Sequence, residues 1–156
     1  MDKLVHNIKI NVLEKDETHI NLIYKSLEQI LPLDYKKEKI FIRNNKGESF
    51  DHNVIHIISM KIHKKRHNIL ILQNIFKKLD KKDMELLYEQ RKSRLDDCGN
   101  FFIRLDKKLL FKNIYKLTEI GDCFHFKIKI AAFPNKRENL MKSLEELLKI
   151  LECSVL

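Results

Sequence analysis

Apolar and polar residues alternate from His6 to Val12: His6, Ile8, Ile10 and Val12 fall on one face, Asn7, Lys9 and Asn11 on the other. That period of two predicts a half-buried strand. Asp16 or Thr18 is then available to cap a helix. Ile20, Ile23, Tyr24, Leu27, Ile30 and Leu31 form its apolar stripe, and Pro32 ends it. Lys39 to Arg43 predicts a second strand, Asn44-Asn45-Lys46-Gly47 a turn, and the β-branched run Val54 to Ile62 a third strand. A basic run, Lys61 to His67, leads into a helix with Ile69, Leu72, Ile75, Phe76 and Leu79 on one side. Asp80 or Asp83 caps the next helix, through Arg91, with Met84, Leu87 and Tyr88 inward. Asp96 to Asn100 reads as a turn and Phe101 to Leu105 as a strand, while Lys107 to Leu117 fits a short helix or a strand. Phe124, Phe126, Ile128 and Ile130 alternate with His125, Lys127 and Lys129, and Leu140, Leu144, Leu147, Leu148 and Leu151 recur at helical spacing. The order β-α-β-β-α-α-β-β-β-α pairs successive strands. It predicts an α+β fold, mainly an antiparallel sheet with helices packed on one face. No repeat or linker divides residues 1–156, so a single domain is expected.

Composition narrows the functional classes. Lys and Arg number 31 against 22 Asp and Glu, a formal net charge of +9, which favours polyanionic partners. Three isolated glycines cannot build a P-loop or a dinucleotide-binding turn. Cys98, Cys123 and Cys153 are widely spaced, and free thiols are expected rather than disulfides or a metal site. No apolar stretch approaches the roughly 20 residues that span a bilayer, and the N-terminus lacks a signal-peptide core. A soluble, cytoplasmic protein without membrane contact is the expectation. His63 and His67 are four apart but sit among lysines and arginines, where solvated basic residues fit better than metal ligands. Asp96, Asp97 and Asp106 read as turn and capping residues. No catalytic, metal or cofactor set emerges, so a non-enzyme is expected.

Cations remain as the candidate chemistry. Lys9, Arg104, Lys127 and Lys129, with His125, point away from the apolar faces of their strands. If those strands share a sheet, its polar face can track a phosphate backbone, with counterion release as the driving force. Simple solvation of one sheet face explains the same pattern equally well. Phe102 shares the parity of Arg104, and stacking on a base and cover for a helix are both open to it. Lys64, Lys65 and Arg66 form a second patch, a phosphate contact or a solvated loop.

The segment Arg94-Leu95-Asp96-Asp97-Cys98-Gly99-Asn100-Phe101-Phe102-Ile103-Arg104-Leu105-Asp106-Lys107-Lys108 resembles a family of small archaeal RNA-binding proteins, formerly a domain of unknown function. Arg94, Asp96, Asn100, Arg104, Asp106 and Lys107 fall on matching positions. The strand Phe124 to Ile130 and the following Ala131 to Glu138 are similar too, as are the opening strand and helix. The chain departs from the pattern at Lys108 (Gln in the family), Phe111 (Tyr) and Asn113 (Gly). The resemblance implies a ribosomal-protein-L5-like or dsRBD-like sheet, RNA as partner, and service as an accessory subunit of the RNA-degrading exosome. It adds Arg94, Lys107 and Lys108 to the candidate contacts, although the motif works equally well as a folding signature. A non-catalytic RNA binder contacting backbone phosphates is therefore the leading expectation. The alternative is a protein–protein adaptor without direct RNA contact. A homodimer is compatible with either.

Overall fold

The computed structural model describes residue 1 and residues 3–154. Five strands form one antiparallel sheet in the order β2-β3-β1-β5-β4. They are β1 (Val5–Glu14), β2 (Ile42–Glu48), β3 (Val54–Ile62), β4 (Asn100–Asp106) and β5 (Cys123–Ile130). The helices are α1 (Ile20–Ile30), α2 (Tyr35–Glu38), α3 (Lys65–Lys78), α4 (Lys81–Glu89), α5 (Arg91–Arg94), α6 (Lys107–Phe111) and α7 (Arg137–Cys153). The α+β antiparallel architecture expected from the strand pattern is present.

One sheet face is almost wholly aliphatic and aromatic. Ile8, Ile10, Val12, Ile58, Met60, Ile62, Phe101, Ile103, Leu105, Phe124, Phe126 and Ile128 are buried there. They belong to one core with Ile23, Leu27 and Ile30 of α1, Ile71, Leu72 and Ile75 of α3, and the leucines of α7. Full burial of each such side chain contributes about 1.5–3 kcal/mol. The opposite face carries the alternate residues and stays open. The long helices end as local chemistry dictates: the Asp80 carboxylate accepts from the Asp83 N–H at 2.7 Å to start α4, and Pro32 follows α1.

Several local expectations are overturned by pairing. Asn44 to Gly47 is not a turn but the body of β2, because β3 offers partners from Met60 back to Val54. The chain reverses instead at Ser49 to Asn53, where the Ser49 N–H donates to the Asn53 carbonyl at 2.9 Å. The strand predicted from Lys39 begins later, since α2 intervenes and Lys39 ends it in the left-handed region. The core-facing residue at the start of β1 is Val5, not the exposed His6, because the pairing with β5 shifts register between Val5 and Asn7. Tyr88 faces outward with its ring beneath the Arg91 guanidinium, 4.2 Å from the ring centre. Lys107 to Leu117 resolves into α6 and a bridge of Leu117 to Leu105.

Candidate nucleic-acid interface

Strand register decides which side chains meet on the open face. Lys9 of β1 lies opposite Lys61 of β3 on one side and Lys127 of β5 on the other. Lys127 in turn lies opposite Phe102 of β4. The adjacent row reads Arg43, Ser59, Asn11, His125, Arg104. Beyond Lys127, Lys129 lies between Asn7 and Asn100. Directly opposed residues have Cβ atoms about 4.5–5.5 Å apart, and like charges so placed destabilise a sheet. Among the described residues, Lys9, Lys61, Lys127, Arg43 and Arg104 make no ion pair that would relieve this repulsion. Every charged side chain in these two rows is a cation.

Of three hollows on this face, one of about 530 Å³ lies among Asn11, Leu13, Ile57 and Cys123, and two lie at the ends of the lysine row. Of these two, one, of about 510 Å³, is lined by Lys9, Lys39, Phe41, Arg43, Ser59, Lys61 and His63. Phe41 stands just before β2 and is 72% exposed, although its neighbours in the hollow are mostly cations. The other, of about 470 Å³, is lined by Gln90, Ser93, Arg94, Phe102, Arg104, Glu119 and His125. There the Phe102 and His125 rings stack with centres 5.3 Å apart and planes 23° from parallel. Burial pushes the His125 imidazole pKa down, and the charges of Arg104 and Lys127 push it the same way. The ring is therefore a neutral aromatic partner for Phe102 at neutral pH.

The predicted contacts separate into groups. Lys9, Arg104, Lys127 and Lys129 share the open face, with the Lys129 ammonium hydrogen-bonded to the Cys98 carbonyl. Arg94 lines the Phe102–His125 hollow, but its side chain is only 12% exposed and its guanidinium is already engaged. It donates to Gln90 Oε1 at 2.9 and 2.7 Å and to the Phe102 carbonyl at 3.3 Å. Lys107 is 4% exposed and lies inside the fold. Its ammonium donates to the Leu13 carbonyl at 2.5 Å, Glu14 Oε2 at 2.8 Å and Asp122 Oδ1 at 2.6 Å. All three donors are used, so this lysine ties elements together and offers nothing to an external phosphate. Lys64 and Arg66 close on Glu38. The Arg66 hydrogen bond, aided by Lys64 against the opposing effect of burial, holds that carboxyl down to about 2. Lys65 is exposed at the start of α3, and Lys108 is exposed on α6 outside the rows.

The Arg94–Lys107 signature serves mainly to build this edge of the sheet. The Asp96 carboxylate accepts from the Cys98 N–H at 3.0 Å, the Asn100 N–H at 2.8 Å and the Asn100 side-chain amide at 3.0 Å. Gly99 sits at φ +87°, and a Cβ there would meet Leu140 Cδ2 at 3.0 Å, so the turn requires glycine. Asp106 caps α6 by accepting from the Leu109 N–H at 2.9 Å. Arg104 is the signature cation left exposed on the open face.

Arg43, Lys61, Lys39, His63 and Phe41 do not stand out in the sequence pattern as members of this face. Lys61 was legible, since Ile58, Met60 and Ile62 set its parity, but it also opens a basic run that reads as a loop. Arg43 and Phe41 fall in the strand predicted from Lys39 to Arg43, but only its pairing with β3 sets them beside Lys61 and Ser59. Among the described residues no group of three or more His, Cys, Asp or Glu is placed to hold a metal ion. No described helix is long and apolar enough to cross a membrane.

Comparison with known proteins gives consistent results. A family model described as RNA binding matches residues 7–130. The RNA-binding protein PAB1135 of Pyrococcus abyssi is 28% identical over 144 residues, covering 92% of this chain and 94% of that protein. Mth689, a DUF54 protein from Methanothermobacter thermautotrophicus, superposes with a TM-score of 0.74 at 22% identity, over 93% of this chain and 98% of its own. Protein AF2318 from Archaeoglobus fulgidus, also assigned to DUF54, gives 0.79 at 17% identity, over 92% and 99%. The last two are likenesses of fold.

Proposed function

Since this chain belongs to the RNA-binding family whose model spans residues 7–130, we propose that it is a non-catalytic protein that holds RNA by its backbone phosphates on the open sheet face. The observation that carries this reading is the row Lys61, Lys9, Lys127, set side by side by strand register and left unpaired. Arg43 and Arg104 extend the field, and Lys129 adds to it beyond Lys127. Phosphates entering such a row relieve the cross-strand repulsion and release their counterions, so a site that destabilises the free sheet favours the complex.

The test is a combined Lys9→Gln, Lys61→Gln, Lys127→Gln variant, with RNA binding followed by fluorescence anisotropy across a salt series. These side chains face solvent at least in part, and the variant is expected to keep its circular dichroism spectrum. The slope of log affinity against log salt should fall by about two to three, at roughly 0.7–0.9 for each phosphate that is no longer neutralised. Unchanged affinity and slope in the folded variant would overturn the proposal.

The narrower reading, an accessory subunit of the exosome, rests on the family resemblance, and co-purification of exosome subunits with the tagged protein tests it. Sedimentation equilibrium tests whether the protein is a homodimer. An adaptor role is favoured by a different observation: Leu13 and Ile57, paired on the open face beyond the cations, are 53% and 36% exposed. Protein that purifies free of RNA at low salt and binds none would support the adaptor.

A further inference from the structure

Phosphate contacts alone do not distinguish single strands from duplexes, but the ends of the lysine row do. Lys61, Lys9 and Lys127 are flanked on the β4 side by Phe102, directly opposite Lys127. At the β2 end stands Phe41, which lines the same hollow as Lys9 and Lys61. Phe41 lies outside the buried core. Its ring is 72% exposed, so it spends apolar surface on solvent beside charges that do not need it. Phe102 is half-buried and is already stacked on the neutral His125 ring. Five strands at about 4.7–4.9 Å spacing put roughly 19 Å between the two aromatic ends. A cationic track bounded by flat rings matches an unpaired strand, whose phosphates take the lysines and whose bases are free to stack. A duplex keeps its base faces inside the helix and can offer only phosphates and 2′-hydroxyls.

Building on the RNA-binding reading above, we propose that the open face selects single-stranded RNA, running across the strands. Phosphates lie along Lys61, Lys9 and Lys127. One base stacks on Phe41 and another extends the Phe102–His125 stack.

The experiment compares a labelled 12-nucleotide oligouridine with an RNA hairpin whose stem carries the same number of phosphates, by anisotropy at several salt concentrations. Wild-type protein should bind the single strand more tightly. Phe41→Ala and Phe102→Leu should each weaken the single strand about tenfold, since stacking at one base is removed. The salt slope should stay unchanged, since no cation is removed, and hairpin affinity should barely move. Phe41 contributes nothing to the core, so its variant reports on binding without a folding penalty. Tighter binding of the hairpin would overturn the inference, and so would wild-type affinity of both aromatic variants for oligouridine. In either case the phosphate reading stands if the lysine variant still loses affinity for both probes. If the lysine variant binds both probes as well as wild type, the broader reading falls with it.

Discussion

Lys107 illustrates how a residue type misleads when its neighbours are unknown. A lysine inside a basic signature reads as a nucleic-acid contact. In the fold it is a buried tie between Glu14 at the end of β1 and Asp122 just before β5. Burial alone would raise the Glu14 pKa, but the Lys107 hydrogen bond, the Asp16 N–H and His19 together bring it below the ordinary value. Burial likewise opposes the charge on Lys107, yet the bonds from Asp122 and Glu14 raise its pKa overall. The depressed Glu14 value makes its contribution full above about pH 4.5 and lost as pH falls through the folded value. Lys107→Met strands Glu14, a carboxylate only 8% exposed. Urea denaturation at pH 7 should show a loss of about 3 kcal/mol, the low end for a broken buried pair because Asp122 is half exposed. With its partner gone, burial raises the Glu14 pKa, so the deficit should shrink as pH is lowered toward 4. A deficit under about 1 kcal/mol at pH 7 would show that the pair contributes no more than a surface one.

Among the elements, β1, β3 and β5 carry the conflict between stability and binding. Lys9 faces a like charge on both sides, and each such opposition costs about 0.2–1 kcal/mol. The Lys9→Gln single variant should therefore be more stable than wild type, by about 0.5–2 kcal/mol at low salt, while binding RNA less well. The gain should fade as salt shortens the screening length to about 3 Å near 1 M. Guanidinium is itself a salt, so urea is the appropriate denaturant. A Lys9→Gln variant less stable than wild type at low salt would show that the lysine stems pack well enough to outweigh the repulsion. At the sheet edge, β4 is protected differently. Lys116 and Thr118 pair with its outer side through Asp106 and Arg104, and Arg94 covers the Phe102 carbonyl. That closes the edge to further strands and leaves the open face of β4 as its available surface.

At the level of the whole molecule, the formal charge of +9 is unevenly spent. Some basic residues away from the open face meet carboxylates, as Lys64 and Arg66 meet Glu38 and Lys116 meets Asp80 and Asp83, while others, such as Lys65 and Lys108, are simply exposed. The open face keeps its charge. Saturating oligouridine, at about 100 times Kd, should therefore stabilise the fold by about 2.7 kcal/mol at low salt. That rise in thermal midpoint, read by circular dichroism, should vanish near 1 M salt. A rise insensitive to salt would mean that base contacts, not phosphates, dominate the complex.

What the sequence determined by itself is what repeats at short range. The alternation Phe124, Phe126, Ile128, Ile130 needs no distant partner to be read as a strand, nor do the leucines of α7 to be read as a helix, because side-chain periodicity is a property of consecutive residues. The same local signals led to an α+β antiparallel sheet, and the parity of Lys9, Arg104, Lys127 and Lys129 put them on its polar side. The tertiary structure alone decided who stands beside whom. Lys61, Lys9 and Lys127 are far apart in the chain and meet only through register, and pairing with β3 drew Asn44 to Gly47 into a strand despite their turn chemistry. Phe41 acquired its place beside the lysines by the same pairing, and Lys107 lost its freedom because Glu14 and Asp122 were folded against it. Pairing energy and burial are set by contacts between distant segments, and no local pattern encodes them.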